Sequence, residues 1–168
     1  MKTIMMIVSL ALITSTLASA QAENHRYRGQ GYIFVGEGMI QDDGLRGNSQ
    51  VGGGAELFVH RGLAVGGEMG AMGRAGEGLG VLSTDASYHF LRYSSDMKWV
   101  PFVEGGYTRT FGNNSPAPPG NLINFGVGIH YWAFRRAGLR LEFRDHARLS
   151  LLGYPAHLWG VRIGLAFR

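Results

Sequence analysis

The chain has no cysteine, and of its 16 cationic residues only Lys2 and Lys98 are lysine. Without cysteine, no disulfide can staple the fold. An exported domain of this composition must be held by a large core or by a closed ring of strands. The scarcity of lysine argues against a soluble β-barrel, whose outer face needs a skin of Lys, Glu, Asn and Thr. The formal net charge of +4 is weak and dispersed. No Arg-rich run or aromatic-basic platform is present, which excludes a nucleic-acid partner. The six histidines are scattered without ligand-like spacing, so no metal is expected. No helix pattern follows Gly36-x-Gly38 or Gly52-Gly53-Gly54, so neither is a phosphate loop and no cofactor is expected.

What is abundant is glycine, 27 of 168 residues, against a usual share of about 7%. These glycines sit inside alternating stretches, where small residues suit a narrow lumen or sharply curved strands. The length allows one domain. Residues 1–20 combine Lys2, an apolar run from Ile4 to Leu17 and Ala18-Ser19-Ala20, the pattern of a secretory signal peptide cleaved after Ala20. The run is too short for a good spanning helix. The domain is therefore residues 21–168, beginning with a polar arm from Gln21 to Arg28.

The last stretch, His157 to Arg168, has the clearest pattern. Trp159, Val161, Ile163, Leu165 and Phe167 alternate with Gly160, Arg162, Gly164 and Ala166. Period-two alternation describes a strand with one apolar face. The same pattern places seven further strands at Gly31–Met39, Gln50–His60, Leu63–Met72, Leu79–Phe90, Trp99–Phe111, Leu122–Phe134 and Leu139–His146. Polar or glycine-rich loops fall at Gln41–Asn48, Gly73–Gly78, Gly112–Asn121 and Ala147–Ala156. The third of these holds Pro116, Pro118 and Pro119, which cannot continue a ladder. A tight turn at Arg61-Gly62, a polar turn at Leu91–Lys98 and a short turn at Arg135–Gly138, with an even strand count, put both chain ends on the turn side. Strands of this length cross a bilayer when tilted. The predicted fold is an all-β, eight-stranded antiparallel up-and-down transmembrane β-barrel.

Alternation alone does not say which face points inward. An eight-stranded barrel has an interior only just wide enough for side chains. The apolar set includes Tyr88, Phe90, Tyr107, Phe125, Tyr131, Phe143, Trp159 and Phe167, too bulky to share that space. The predicted lumen is the other set: Glu37, Glu56, Glu68, Asp85, Glu104, Arg140, Glu142, Arg144 and Arg162, with His60, His89, His130 and His146. In a low-dielectric bore these charges must pair. Aromatics gather at both ends of the strands as two interfacial girdles: Tyr88, Phe90, Tyr93, Trp99, Tyr131, Trp132, Phe134 and Phe167 at one, and Tyr107, Phe111, Tyr154 and Trp159 at the other.

The strand that ends on Phe167 resembles the C-terminal assembly signal of bacterial outer-membrane barrels, with Trp159, Val161, Ile163, Leu165 and Phe167 carrying it; the departure is Arg168 after the final aromatic. From Trp99 onward, Val100 to Tyr107, Asn124 to Ile129, Leu139 to His146 and the final strand are similar to the small outer-membrane β-barrel family that includes OmpA-like and OmpX-like barrels. The resemblance implies a monomer in the outer membrane, in contact with lipid and lipopolysaccharide. It also implies delivery by periplasmic chaperones and the barrel-assembly machinery, and it carries no single activity. The expected function is structural or surface-interacting, without catalysis. Two alternatives remain: a minor small-solute or ion pore, and a lipid A acyl hydrolase using Glu142, His146 and Ser150. The lipid A deacylase family's motif is His-x-Ser, whereas this chain has His146-Ala147-Arg148.

Overall fold

The structure, a computed structural model, describes residues 28–41, 45–74, 77–90, 98–114, 120–148 and 157–168. The predicted signal peptide, Tyr93, Ser150 and Tyr154 lie outside the described residues. Eight strands follow one another: β1 (Gly29–Gln41), β2 (Leu45–His60), β3 (Leu63–Arg74), β4 (Glu77–His89), β5 (Trp99–Asn114), β6 (Asn121–Tyr131), β7 (Ala137–Arg148) and β8 (His157–Phe167). Each pairs antiparallel with its neighbours in sequence, and β1 pairs with β8, closing the ring. The sheet is the eight-stranded up-and-down barrel predicted, and closure leaves no edge strand exposed.

The stagger follows from the registers. Stepping across partners from Gly31 through Ala55, Gly67, Thr84, Tyr107, Ile123, Ala147 and His157 returns to β1 at Gln41. The displacement from 31 to 41 is ten residues. At about 3.3 Å per residue and eight spacings of about 4.8 Å, the strands tilt about 40° from the barrel axis. The end that carries Arg28 and Arg168 is called the near end here, and the opposite end the far end.

Most strands are longer than the alternation indicated, although β6 stops at Tyr131, short of the predicted Phe134. Residues 45–49 and 112–114 join β2 and β5, and β1 runs on to Gln41, so the predicted loop Gln41–Asn48 shrinks to residues 42–44. Backbone pairing continues past the point where side chains stop alternating in polarity, since ladder bonds do not require an apolar face. Near the opposite end of β2, the register shifts between Phe58 and His60. This bulge inverts the parity beyond it and turns His60, predicted to face inward, to the exposed side.

The faces sort as the size argument requires. Val35, Val51, Leu57, Met69, Leu82, Ile123, Phe125, Leu141, Val161, Ile163 and Leu165 are exposed on the outside, while Arg140, Arg144 and His146 are almost wholly buried. Strand β1 departs from the predicted assignment. Tyr32 and Phe34 point inward, and Glu37 is exposed on the outer face with Ile33, Val35 and Met39. The partners explain how two aromatics fit a narrow bore. Tyr32 pairs with Gly54 and Phe34 with Gly52. A Cβ on Gly54 would stand 2.7 Å from the Tyr32 hydroxyl, and one on Gly52 would stand 2.8 Å from Phe34 Cζ. Trp132 lies inside, 5% exposed, as the alternation of strand six places it, and not in the near-end girdle. The near-end girdle comprises Tyr88, Phe90, Trp99, Tyr131, Phe134 and Phe167, with the Trp99 and Tyr131 rings 4.4 Å apart. Tyr107, Phe111 and Trp159 stand outward toward the far end.

Candidate functional site

Inward positions of β2, β3, β4, β5, β7 and β8 bring the charged residues of six strands into one lumen. Four of them form a closed alternating ring. Arg140 Nε donates to Glu142 Oε2 at 2.8 Å, and Arg144 Nε donates to Glu142 Oε1 at 2.6 Å. Across the bore, Arg140 Nη2 donates to Glu104 Oε2 at 2.8 Å, and Arg144 Nη2 donates to Glu104 Oε1. Each carboxylate thus bridges both guanidiniums, one oxygen to each, and the ring is electrically neutral. The planar fork of arginine makes this geometry possible where lysine could not. Space for it comes from glycine, since a Cβ on Gly126 would stand 2.7 Å from Glu104 Oε1.

Smaller groups flank the ring. Arg162 binds Glu68 at 2.8 Å and Gln50 at 2.8 Å, with its guanidinium over the Phe34 ring at 4.3 Å. The Arg140 guanidinium is held between Tyr32 and Phe102, 4.1 Å from each ring centre. Asp85 accepts from Asn124 at 2.7 Å and from Arg144 at 3.3 Å. Every carboxylate of the set therefore receives at least one charged or amide donor, which offsets the cost of burying it.

The predicted network residues Glu56, Glu68, Asp85, Glu104, Arg140, Glu142, Arg144 and Arg162 all line the lumen; Glu37 does not. Glu37 stands instead in an open exterior groove of about 760 Å³ between Val35, Ser49, Val51, Ala71 and Val161. The five acids and three arginines lie between two apolar layers. Val100, Trp132 and Ala166 close the near end, with Tyr32 and Phe34 rising above them. Met72, Leu79, Val81, Leu122 and Leu158 close the far end, with Ile40 packed against them.

Glu142 and His146 share the lumen but are not joined. Both Glu142 oxygens are taken by arginine, and the His146 ring meets the Leu158 carbonyl through Nδ1 at 3.3 Å. Ser150, the third member of the predicted hydrolase set, lies outside the described residues.

The barrel assembles three groupings that linear spacing did not reveal. Ser87, His89 and Glu56 meet near the near end, but Ser87 Oγ and Glu56 Oε2 both approach the same nitrogen, His89 Nε2, at 3.1 and 3.0 Å. A relay needs hydroxyl and acid on opposite ring nitrogens. All three residues are also buried. Glu56, His89 and His130 offer ligand atoms within 4.8 Å of one another. The Arg140 guanidinium already reaches His130 Nε2 at 3.2 Å and Glu56 at 3.4 Å, so the space a cation would need holds a positive charge. Outside, His157 Nδ1 meets Asp145 Oδ2 at 2.8 Å on the far-end wall. Parity alone could have found the Ser87–His89 pair; the others depend on cross-barrel neighbours.

Solved structures share this architecture. Neisserial surface protein A, NspA, superposes with a TM-score of 0.67, covering 84% of this chain and 97% of that one at 11% identity. The N-terminal β-barrel domain of Pseudomonas aeruginosa OprF gives 0.62, covering 83% and 98% at 16% identity. The fold is that of a small outer-membrane β-barrel. The outer membrane protein OprG of Pseudomonas aeruginosa extends the likeness at 0.56, covering 88% and 98% at 10% identity. No family model and no curated protein matches the chain. In this transmembrane barrel the apolar exterior is the membrane-facing surface, and the charge network is the packed interior.

Proposed function

We propose that the protein is an integral outer-membrane β-barrel with a structural or surface-interaction role, inserted after export behind a cleaved signal peptide. The lumen is a load of paired charge that sets the barrel's shape; it neither conducts nor catalyses. One observation carries this reading: the Arg140–Glu142–Arg144–Glu104 ring fills the middle of the bore between two apolar layers. Water passes a bore only where side chains leave a column for it, and here buried rings and aliphatic chains stand above and below the ring. Assembly of such a chain requires periplasmic chaperones and the barrel-assembly machinery, with outer-membrane lipid and lipopolysaccharide as its surroundings. The near end then faces the periplasm.

Three measurements test the reading. Outer-membrane fractionation with heat-modifiable gel migration should show a folded band that extracts only in detergent; release by carbonate alone contradicts it. Planar-bilayer recordings should show a silent membrane, and sustained discrete openings would overturn the filled lumen. Lipopolysaccharide incubated with folded protein should keep its acyl chains by mass spectrometry. Acyl loss abolished by His146→Ala would establish the hydrolase alternative.

A further inference from the structure

The charges outside the lumen are divided unequally between the two ends. At the near end the described residues include Arg28, Arg61, Lys98, Arg135, Arg136 and Arg168, and no acidic side chain outside the lumen. The adjoining segments, 21–27 and 91–97, each add one arginine and one acid, so they leave that excess unchanged. The far end is mixed: Glu37 and Asp145 stand among Arg46, Arg109, Arg148 and His157, and segments 42–44 and 74–77 add three acids and one arginine. The lumen itself holds more acids than arginines. The chain's positive balance is therefore concentrated on one rim.

The depth of that rim identifies what it meets. Lys98 precedes Trp99 and Arg135 follows Phe134, both aromatics being exposed members of the near-end girdle, whereas the Arg168 guanidinium lies 4.1 Å over the inward Trp132 ring. One residue of extended chain is about 3.3 Å, so Lys98 and Arg135 sit within a few ångströms of the rings that mark the membrane interface. Two of the three near-end connections are also short. Arg61-Gly62 spans a two-residue turn, and residues 132–136 join β6 to β7. They cannot raise the charges far above the headgroups. The lipid-facing cations are spread around the circumference, over the starts of β1 and β5 and two turns, as contact with an encircling lipid layer requires.

We infer that the near-end rim is a binding surface for anionic phospholipid headgroups in the leaflet it faces. The inference rests on the outer-membrane reading above for its orientation. Each Lys or Arg near an anionic surface strengthens binding by about fivefold, and the attraction is screened by salt.

The test uses the folded full-length protein in zwitterionic detergent, with native mass spectrometry after addition of phosphatidylglycerol or phosphatidylcholine. Wild type should retain phosphatidylglycerol in preference. Lys98→Gln/Arg135→Gln/Arg136→Gln should lose about fivefold per cation removed, and raising salt should erase the preference. Arg46→Gln/Arg109→Gln at the far end should leave it intact. Equal retention of the two lipids by wild type, or an unchanged preference in the triple variant, overturns the inference. So does retention of polyglutamate without phosphatidylglycerol, which would identify an acidic polypeptide partner. Heat-modifiable migration of every variant is read alongside: a folded barrel without lipid preference sinks this inference alone, whereas failure of wild type to show a folded band sinks the outer-membrane reading.

Discussion

At the residue scale, Arg144 has the most to lose. It is wholly buried and reaches Glu142, Glu104 and Asp85. Removing one partner from a buried ion network strands the others, typically at about 3–5 kcal/mol. Arg144→Met should lower the urea midpoint of the folded barrel accordingly, and Arg144→Met/Glu104→Gln should recover part of the loss. Additive losses in the double variant would mean the ring is not one unit. On the outside, Ile163→Arg should cost about 2–4 kcal/mol in lipid if that position lies near the bilayer midplane, while Glu37→Leu should cost nothing or stabilise. Most lumen residues were legible because polar and bulky apolar side chains alternate cleanly on β4, β7 and β8. Glu37 was not: on β1 the aromatics Tyr32 and Phe34 occupy the inward face, and only their glycine partners on β2 reveal that they fit.

At the element scale, strand identity followed from period-two patterning, and strand ends did not. Residues 45–49 mix Leu, Arg, Gly, Asn and Ser, yet they pair with residues 37–41 of β1. That pairing extends the β1–β2 hairpin through backbone bonds alone, which side-chain patterning within one segment cannot show. The bulge at Phe58/His60 is invisible for the same reason. Strand β8 bears on both neighbours, with Ile163 paired to Val35 on β1 and to Leu141 on β7. Ile163→Pro removes a ladder donor in a closed sheet, where every strand has two partners. The variant should show no heat-modifiable band; a band like that of wild type would mean closure does not depend on this strand. Phe167→Ala should instead slow insertion into the membrane while leaving the folded band of molecules that do insert.

At the scale of the whole molecule, apolar side chains face lipid and the charges face one another within a ring. The absence of native cysteine makes this directly measurable, since single cysteines can carry spin labels without competition. Labels placed in turn at positions 161 to 165 of the bilayer-inserted protein report access to dissolved oxygen, which concentrates in lipid. High oxygen access is expected at 161, 163 and 165 and low access at 162 and 164, a period of two. Uniform access along the strand, or maxima at 162 and 164, would contradict that arrangement.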